Sequence, residues 1–73
     1  MLTQDRYQTI LIEKRTNGVA LATFNRPEKL NAINARMHTE LTTLTLDAEA
    51  DPDVKVLLIT GAGRAFCAGG DFS

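Results

Sequence analysis

The longest apolar run lies at residues 54–60, Val-Lys-Val-Leu-Leu-Ile-Thr, where only Lys55 interrupts Val54, Val56, Leu57, Leu58 and Ile59. Apolar positions on both faces predict a strand covered on both sides, as in a parallel sheet. Two earlier segments alternate instead. Residues 7–14 put Ile10 and Ile12 on one face and Leu11 and Glu13 on the other. Residues 19–24 set Val19, Leu21 and Thr23 against Ala20, Ala22 and Phe24. Between them Thr16-Asn17-Gly18 predicts an antiparallel hairpin, with Asn-Gly supplying the positive φ angles of a tight turn. Residues 1–6 are polar and read as a loose arm.

The spacing changes after Pro27, which fixes its own φ and pushes Arg26 to an extended conformation. Residues 28–33 read as loop. Met37, Leu41, Leu44 and Ala48 then recur at i, i+4, i+7 and i+11, one face of a helix capped by Asn34 and running to about Ala50. Threonine is dense between Leu41 and Leu46, which suits a strand. The helix is favoured because its face continues through Ala48 and its length fits a crossover. Asp51-Pro52-Asp53 stops it. The order is strand, strand, helix, strand, and a right-handed crossover makes the last two strands parallel. One helix covers one face of such a sheet. The other apolar face of the last strand has no cover within the chain, so the expectation is that more protein completes it: downstream sequence, a second chain or an oligomer.

Composition narrows the function classes. The chain has 73 residues, room for one small domain, with 44% hydrophobic and 23% charged residues. A net charge of −1 gives no footprint for nucleic acid or an anionic membrane, and no segment has the apolar length of a membrane span. One cysteine allows no internal disulfide or cysteine-cluster zinc site, and one histidine speaks against a histidine metal site. The start lacks a basic region followed by an apolar one, so a cytoplasmic setting is expected.

The candidate chemistry sits after the last strand. Gly61-Ala62-Gly63 begins like a dinucleotide fingerprint, but Phe66 stands where a third small residue belongs, and no Gly-Lys-Ser/Thr follows for a P-loop. A nucleotide-phosphate loop is therefore a weak reading. Ser73 lacks a nucleophile elbow. Gly69-Gly70 could present a backbone N–H to a developing oxyanion, although on spacing alone a plain turn is favoured. Cys67 reads as a small buried hydrophobe and His38 as a solvated or partly packed helix residue. Asp71 reads as a cap or a loop-orienting acceptor. Arg26, Lys29 and Arg64 could meet phosphates, yet scattered basic residues are usually solvated surface.

Two motifs taken together are more specific. Phe24-Asn25-Arg26-Pro27-Glu28-Lys29-Leu30-Asn31-Ala32 resembles the first signature of the crotonase (enoyl-CoA hydratase/isomerase) superfamily. Val56-Leu57-Leu58-Ile59-Thr60-Gly61-Ala62-Gly63 with Ala65-Phe66-Cys67-Ala68-Gly69-Gly70-Asp71 resembles its second. The resemblance extends over about residues 7–72. It implies an α/β, ββα-spiral (crotonase/ClpP-like) fold, of which residues 1–73 would be the N-terminal part of a single domain. It implies acyl-CoA thioester substrates, no cofactor beyond coenzyme A as part of the substrate, no metal, and assembly as a homotrimer or hexamer. Two backbone N–H groups stabilise the enolate-like intermediate in this family, and one maps to Gly70. Lys29, Leu30, Ala68, Gly69, Asp71 and Phe72 map to contacts with CoA and substrate. The second donor and the acid/base residues lie downstream in family members. Enoyl-CoA hydration is the leading expectation, with isomerase, dehalogenase, hydrolase or decarboxylase activity, or a non-catalytic truncated or interaction module, as alternatives.

Overall fold

A computed structural model describes residues 2–63, 65–67 and 69. Three strands, β1 (Ile10–Lys14), β2 (Val19–Phe24) and β3 (Val56–Gly61), form one sheet in the order β1-β2-β3, and the helix α1 (Ala35–Ala50) joins β2 to β3. β1 and β2 are antiparallel, with Ile10 opposite Phe24 and Ile12 opposite Ala22. β2 and β3 are parallel, with Val19 opposite Val56 and Phe24 opposite Gly61. The hairpin is looser than expected. Arg15 N–H closes it onto Val19 O at 2.7 Å, and only Gly18 (φ 87°) is left-handed, not Asn17. A three-residue connection with one left-handed glycine meets the strand twist without a second positive φ.

α1 forms as the apolar spacing requires. The Asn34 side chain accepts the Met37 N–H at 2.9 Å, satisfying one of the helix's unpaired first-turn donors. The threonines fit the helix by donating backwards, Thr39 to Ala35 O and Thr43 to Thr39 O, both at 3.1 Å. Met37, Leu44 and Ala48 pack with Ile10, Ala20, Ala22 and Phe24 into one core. The opposite sheet face carries Leu11, Val19, Leu21, Val56 and Leu58, of which Leu58 is 51% exposed.

The first residues are not a loose arm. Leu2 is buried, and its N–H donates to Asp51 Oδ2 at 3.1 Å. Gln4 lies along the outer edge of β1: its Nε2 donates to Ile10 O at 3.0 Å and its Oε1 accepts Ile12 N–H at 2.7 Å. A side-chain amide thus occupies strand-edge groups that another strand could otherwise pair with. This arrangement replaces the first three residues of the strand expected from residue 7; Tyr7 is instead buried beside α1, its hydroxyl donating to Asp47 Oδ2 at 2.8 Å. β3 lies at the other edge of the sheet.

Candidate functional site

Parallel pairing ends β2 and β3 at the same end of the sheet, so the segments leaving them start side by side. Ala62 N–H extends the pairing by donating to Phe24 O at 2.8 Å. Beyond β2, Pro27–Lys29 make one 3-10 turn, and Leu30 (φ 54°) and Asn31 (φ 57°) follow, both left-handed. That region costs a non-glycine residue roughly 1–2 kcal/mol unless local bonds compensate.

Asn31 supplies those bonds. Its N–H donates to Arg26 O at 2.8 Å. Its side-chain Oδ1 accepts Arg26 N–H at 2.8 Å, while Nδ2 donates to Ala62 O at 2.8 Å and Ala65 O at 2.6 Å. Carbonyl oxygens only accept, so these partners fix which end of the amide faces which segment. The side chain is fully buried. The Arg26 guanidinium donates to Ala32 O, and Ile33 N–H donates to Gly69 O at 2.7 Å. The two sequence motifs are thereby joined across 31 and 34 residues by one carboxamide and again at Gly69.

The glycines serve different ends. A Cβ on Gly61 would stand 2.3 Å from Phe66 O and 2.6 Å from Ala65 O, so the loop folds back over bare backbone. Gly63 (φ 79°) sits against the Pro27 ring, where a Cβ would meet Pro27 Cβ at 3.0 Å. Gly69 (φ 102°) has open space around its Cβ position and needs glycine only for its backbone angle. The Phe66 ring tilts against Phe24 with centroids 5.4 Å apart. Cys67 is half-buried against the core, as expected for a small hydrophobe. His38 is exposed on α1.

Of the residues expected to touch substrate, Lys29 is exposed at the end of the 3-10 turn, Leu30 is half-buried and Gly69 is exposed. They belong to the paired segments just described. Gly70, Ala68, Asp71 and Phe72 lie outside the described residues, as do Arg64 and Ser73. Reading the sequence missed Asn31 as a joining residue. The available signal was an asparagine between Leu30 and Ala32, amid apolar neighbours.

Three buried carboxylates were also missed. Glu40, on the apolar face of α1, accepts Gln8 N–H and Thr9 N–H at 2.9 Å, the Thr9 hydroxyl at 2.8 Å and Arg36 Nε at 2.5 Å. Burial pushes its carboxyl upward, but Arg36 and the Gln8 and Thr9 donors outweigh it and hold the group below the usual carboxylate range. Thr9 O in turn accepts Asn25 N–H at 2.8 Å. Glu40 is thus a saturated acceptor holding the segment beside the first motif, not a proton carrier. Asp47 accepts Tyr7 and Arg6, and burial, then the Asp47 bond, raise the Tyr7 phenol well above its usual value. Asp51 accepts Lys14 Nζ at 2.7 Å, Asp53 N–H at 2.9 Å and Leu2 N–H; Lys14 first, then the two backbone donors, lower its pKa to about 2.

A concavity of about 740 Å³ lies at the other end of the sheet, among Lys14, Arg15, Asn17, Gly18, Asp53 and Lys55. It is remote from both motif segments, and Lys14 and Arg15 are already paired with Asp51 and Glu13. Among the described residues, no helix is long and apolar enough to cross a membrane.

A parallel β-α-β unit with a hairpin strand, ending in two stapled segments, is an α/β arrangement shared with enzymes of the crotonase fold. The profile of the enoyl-CoA hydratase/isomerase family matches residues 14–73, and the chain belongs to that family. It is 43% identical over 65 residues to a probable enoyl-CoA hydratase of Mycobacterium tuberculosis, covering 89% of this chain and 25% of the relative. It is 47% identical over 62 residues to 3-hydroxyisobutyryl-CoA hydrolase 1 of Arabidopsis thaliana, covering 85% and 16%. The crystal structure of an enoyl-CoA hydratase/isomerase from Mycobacterium paratuberculosis superposes with a TM-score of 0.83 at 44% identity, over 90% of this chain and 26% of that one. The chain therefore spans about a quarter of the length of the hydratases it matches, at their N-terminal end.

Proposed function

We propose that residues 1–73 are the N-terminal part of a single crotonase-like domain of an acyl-CoA enzyme, with hydration of a 2-enoyl-CoA as the leading reaction. The carrying observation is that the first-motif turn and the second-motif loop leave one end of the sheet together and are stapled by Asn31. In this reading Lys29 and Leu30 in the turn, with Ala68, Gly69, Asp71 and Phe72 in the loop, contact CoA and substrate. Gly70 N–H donates to the thioester oxygen as negative charge develops there. A preorganised backbone donor of this kind contributes about 2.7–4 kcal/mol to the transition state. Among the described residues, the carboxylate bonded to the segment beside the first motif, Glu40, is fully committed to structural partners, which supports acid and base groups located elsewhere. No cofactor is needed beyond the CoA that the substrate carries. Completion by the downstream part, a cytoplasmic location and assembly as a homotrimer or hexamer belong to the same proposal. The open β3 edge and the apolar face around Leu58 support completion by further protein.

The test is a chimera in which this chain replaces the matched 65 residues of the Mycobacterium tuberculosis relative. Crotonyl-CoA hydration, with CoA binding measured by calorimetry, is the expected result. A folded chimera that neither hydrates crotonyl-CoA nor binds CoA refutes the hydratase reading and leaves an interaction module. Hydrolysis or isomerisation of acyl-CoA substrates without hydration would reassign the reaction within the family.

A further inference from the structure

We infer that Asn31 is the positioning residue of the thioester site: its carboxamide holds the loop that carries the oxyanion donor at a fixed distance from the turn that carries CoA. The inference rests on the acyl-CoA reading above. A plain loop staple needs only one bond between segments. Asn31 makes three from one fully buried side chain, and all three go to backbone atoms: Arg26 N–H on the turn, Ala62 O and Ala65 O on the loop. Backbone partners fix chain position rather than side-chain rotamers. Gly63, which rests on Pro27, lies between the two loop carbonyls in sequence, so the amide and the glycine contact hold this part of the loop at separate points.

The chain tolerates local strain to keep this amide in place. Asn31 and Leu30 both sit at positive φ, which an unbraced turn would not retain. Downstream, the same bend leads to Gly69, whose carbonyl is held by Ile33 N–H at 2.7 Å. Ile33 follows Asn31 by two residues, so turn and loop are tied at residues 62, 65 and 69 by one short stretch of chain. Arg26, the turn-side partner of Asn31, reaches Ala32 O, which sets the stretch from its other flank. No atom of Asn31 needs to touch substrate for this role; it acts through the loop.

The consequence is a split between binding and chemistry. Groups that anchor CoA sit on both segments and tolerate a small shift between them. An oxyanion donor does not, because displacement by about 1 Å can reduce turnover on the order of 100-fold. In the chimera, Asn31→Asp keeps the size and the acceptor for Arg26 N–H but turns the two loop-facing donors into acceptors aimed at carbonyls. Asn31→Ser is the smaller variant, used if the first does not fold. With rates normalised to CoA-binding sites, kcat is expected to fall about 100-fold while KM changes by less than about 3-fold. Hydrogen exchange supplies a readout that needs no activity. Ile33 N–H should lose protection in the variants while Leu11 and Thr23, a bonded pair of the hairpin, keep theirs. An unchanged kcat per site, or an unchanged Ile33 protection, overturns the inference. So does uniform loss of protection across the sheet, which marks a purely structural residue. An inactive parent chimera counts against the acyl-CoA reading, and the exchange pattern still decides the role of Asn31.

Discussion

Gly61→Ala is the sharpest test of how the second-motif loop is built. Gly61 ends β3 with no positive φ, so alanine suits its backbone and, by restricting the unfolded chain, would by itself stabilise by about 0.4–1 kcal/mol. The folded loop forbids it. The new Cβ would lie 2.3 Å from Phe66 O, 2.6 Å from Ala65 O and 2.7 Å from Phe66 Cα, all backbone atoms that no rotamer change can move. Ordinary carbon–oxygen contact begins near about 3.3 Å, so residues 65–66 must retreat by about 1 Å. That movement stretches the Asn31 Nδ2 bond to Ala65 O, now 2.6 Å, beyond hydrogen-bond range. Overpacking of about 1–3 kcal/mol plus the lost bond of about 1 kcal/mol outweighs the entropic gain, for a net destabilisation of about 1–3.6 kcal/mol. Gly69→Ala is the internal control: its Cβ meets nothing within 4 Å, and only the φ of 102° costs, about 1–2 kcal/mol. Urea unfolding of the two chimera variants, followed by circular dichroism, gives the comparison. Gly61→Ala within about 0.5 kcal/mol of the parent, or less damaging than Gly69→Ala, refutes the folded-back loop.

Tyr7 is the chain's only tyrosine, so its ionisation is directly visible by ultraviolet absorbance in this chain. Its folded pKa is raised, so its contribution is fully present below the unfolded value near 10 and is lost as pH rises beyond it, by about 1.4 kcal/mol per pH unit; a phenol titrating normally in the folded protein contradicts its burial against Asp47. At the acid end, Asp51 (about 2) and Glu40 are both lowered, so their contributions are present above the ordinary carboxylate range and are lost as pH falls through it toward 2. Lys14→Met removes the chief cause at Asp51, and carbon-13 NMR titration should then show that carboxyl shifted upward, with no change counting against the pairing. Leu58→Asp, on the uncovered sheet face, should leave the chain's own helix and strands intact by circular dichroism yet abolish assembly with a separately supplied downstream part in sedimentation; unimpaired assembly places the completing protein elsewhere.

The elements themselves were readable because local and tertiary preferences agree there. Ile10 and Ile12 alternate and pair with Phe24 and Ala22; Met37, Leu44 and Ala48 recur at helical spacing behind an Asn34 cap; β3 is apolar on both faces and lies parallel to β2. Periodicity reports where apolar side chains go, and so it missed the polar groups that the core also holds. Glu40 and Asp47 share the helix face of Met37 and Leu44 but are buried as acceptors for Thr9, Tyr7 and Arg6. Apart from Arg36, one helical turn before Glu40, these partners lie 31 to 41 residues away, beyond the reach of any local pattern. The polar start of the chain misled for the same reason: Gln4 is polar because it serves the β1 edge, and Leu2 is fixed through Asp51. Within the site, motif similarity identified the two segments, while the Asn31 bonds that join them became apparent only from the geometry.

The joining of the site across some thirty residues has a bearing on how the protein is made. Nothing within residues 24–34 alone satisfies the Asn31 Nδ2 donors; their acceptors are on Ala62 and Ala65. During synthesis the hairpin can pair as soon as it emerges, since its contacts are local, and α1 can dock on it next. The strained turn at Leu30 and Asn31 then waits, unbraced, until β3 has been made and aligned beside β2. Only when residue 69 has followed does Ile33 find its acceptor. The joined pair of motif segments is therefore the last local structure among the described residues to set, after β3 has aligned beside β2.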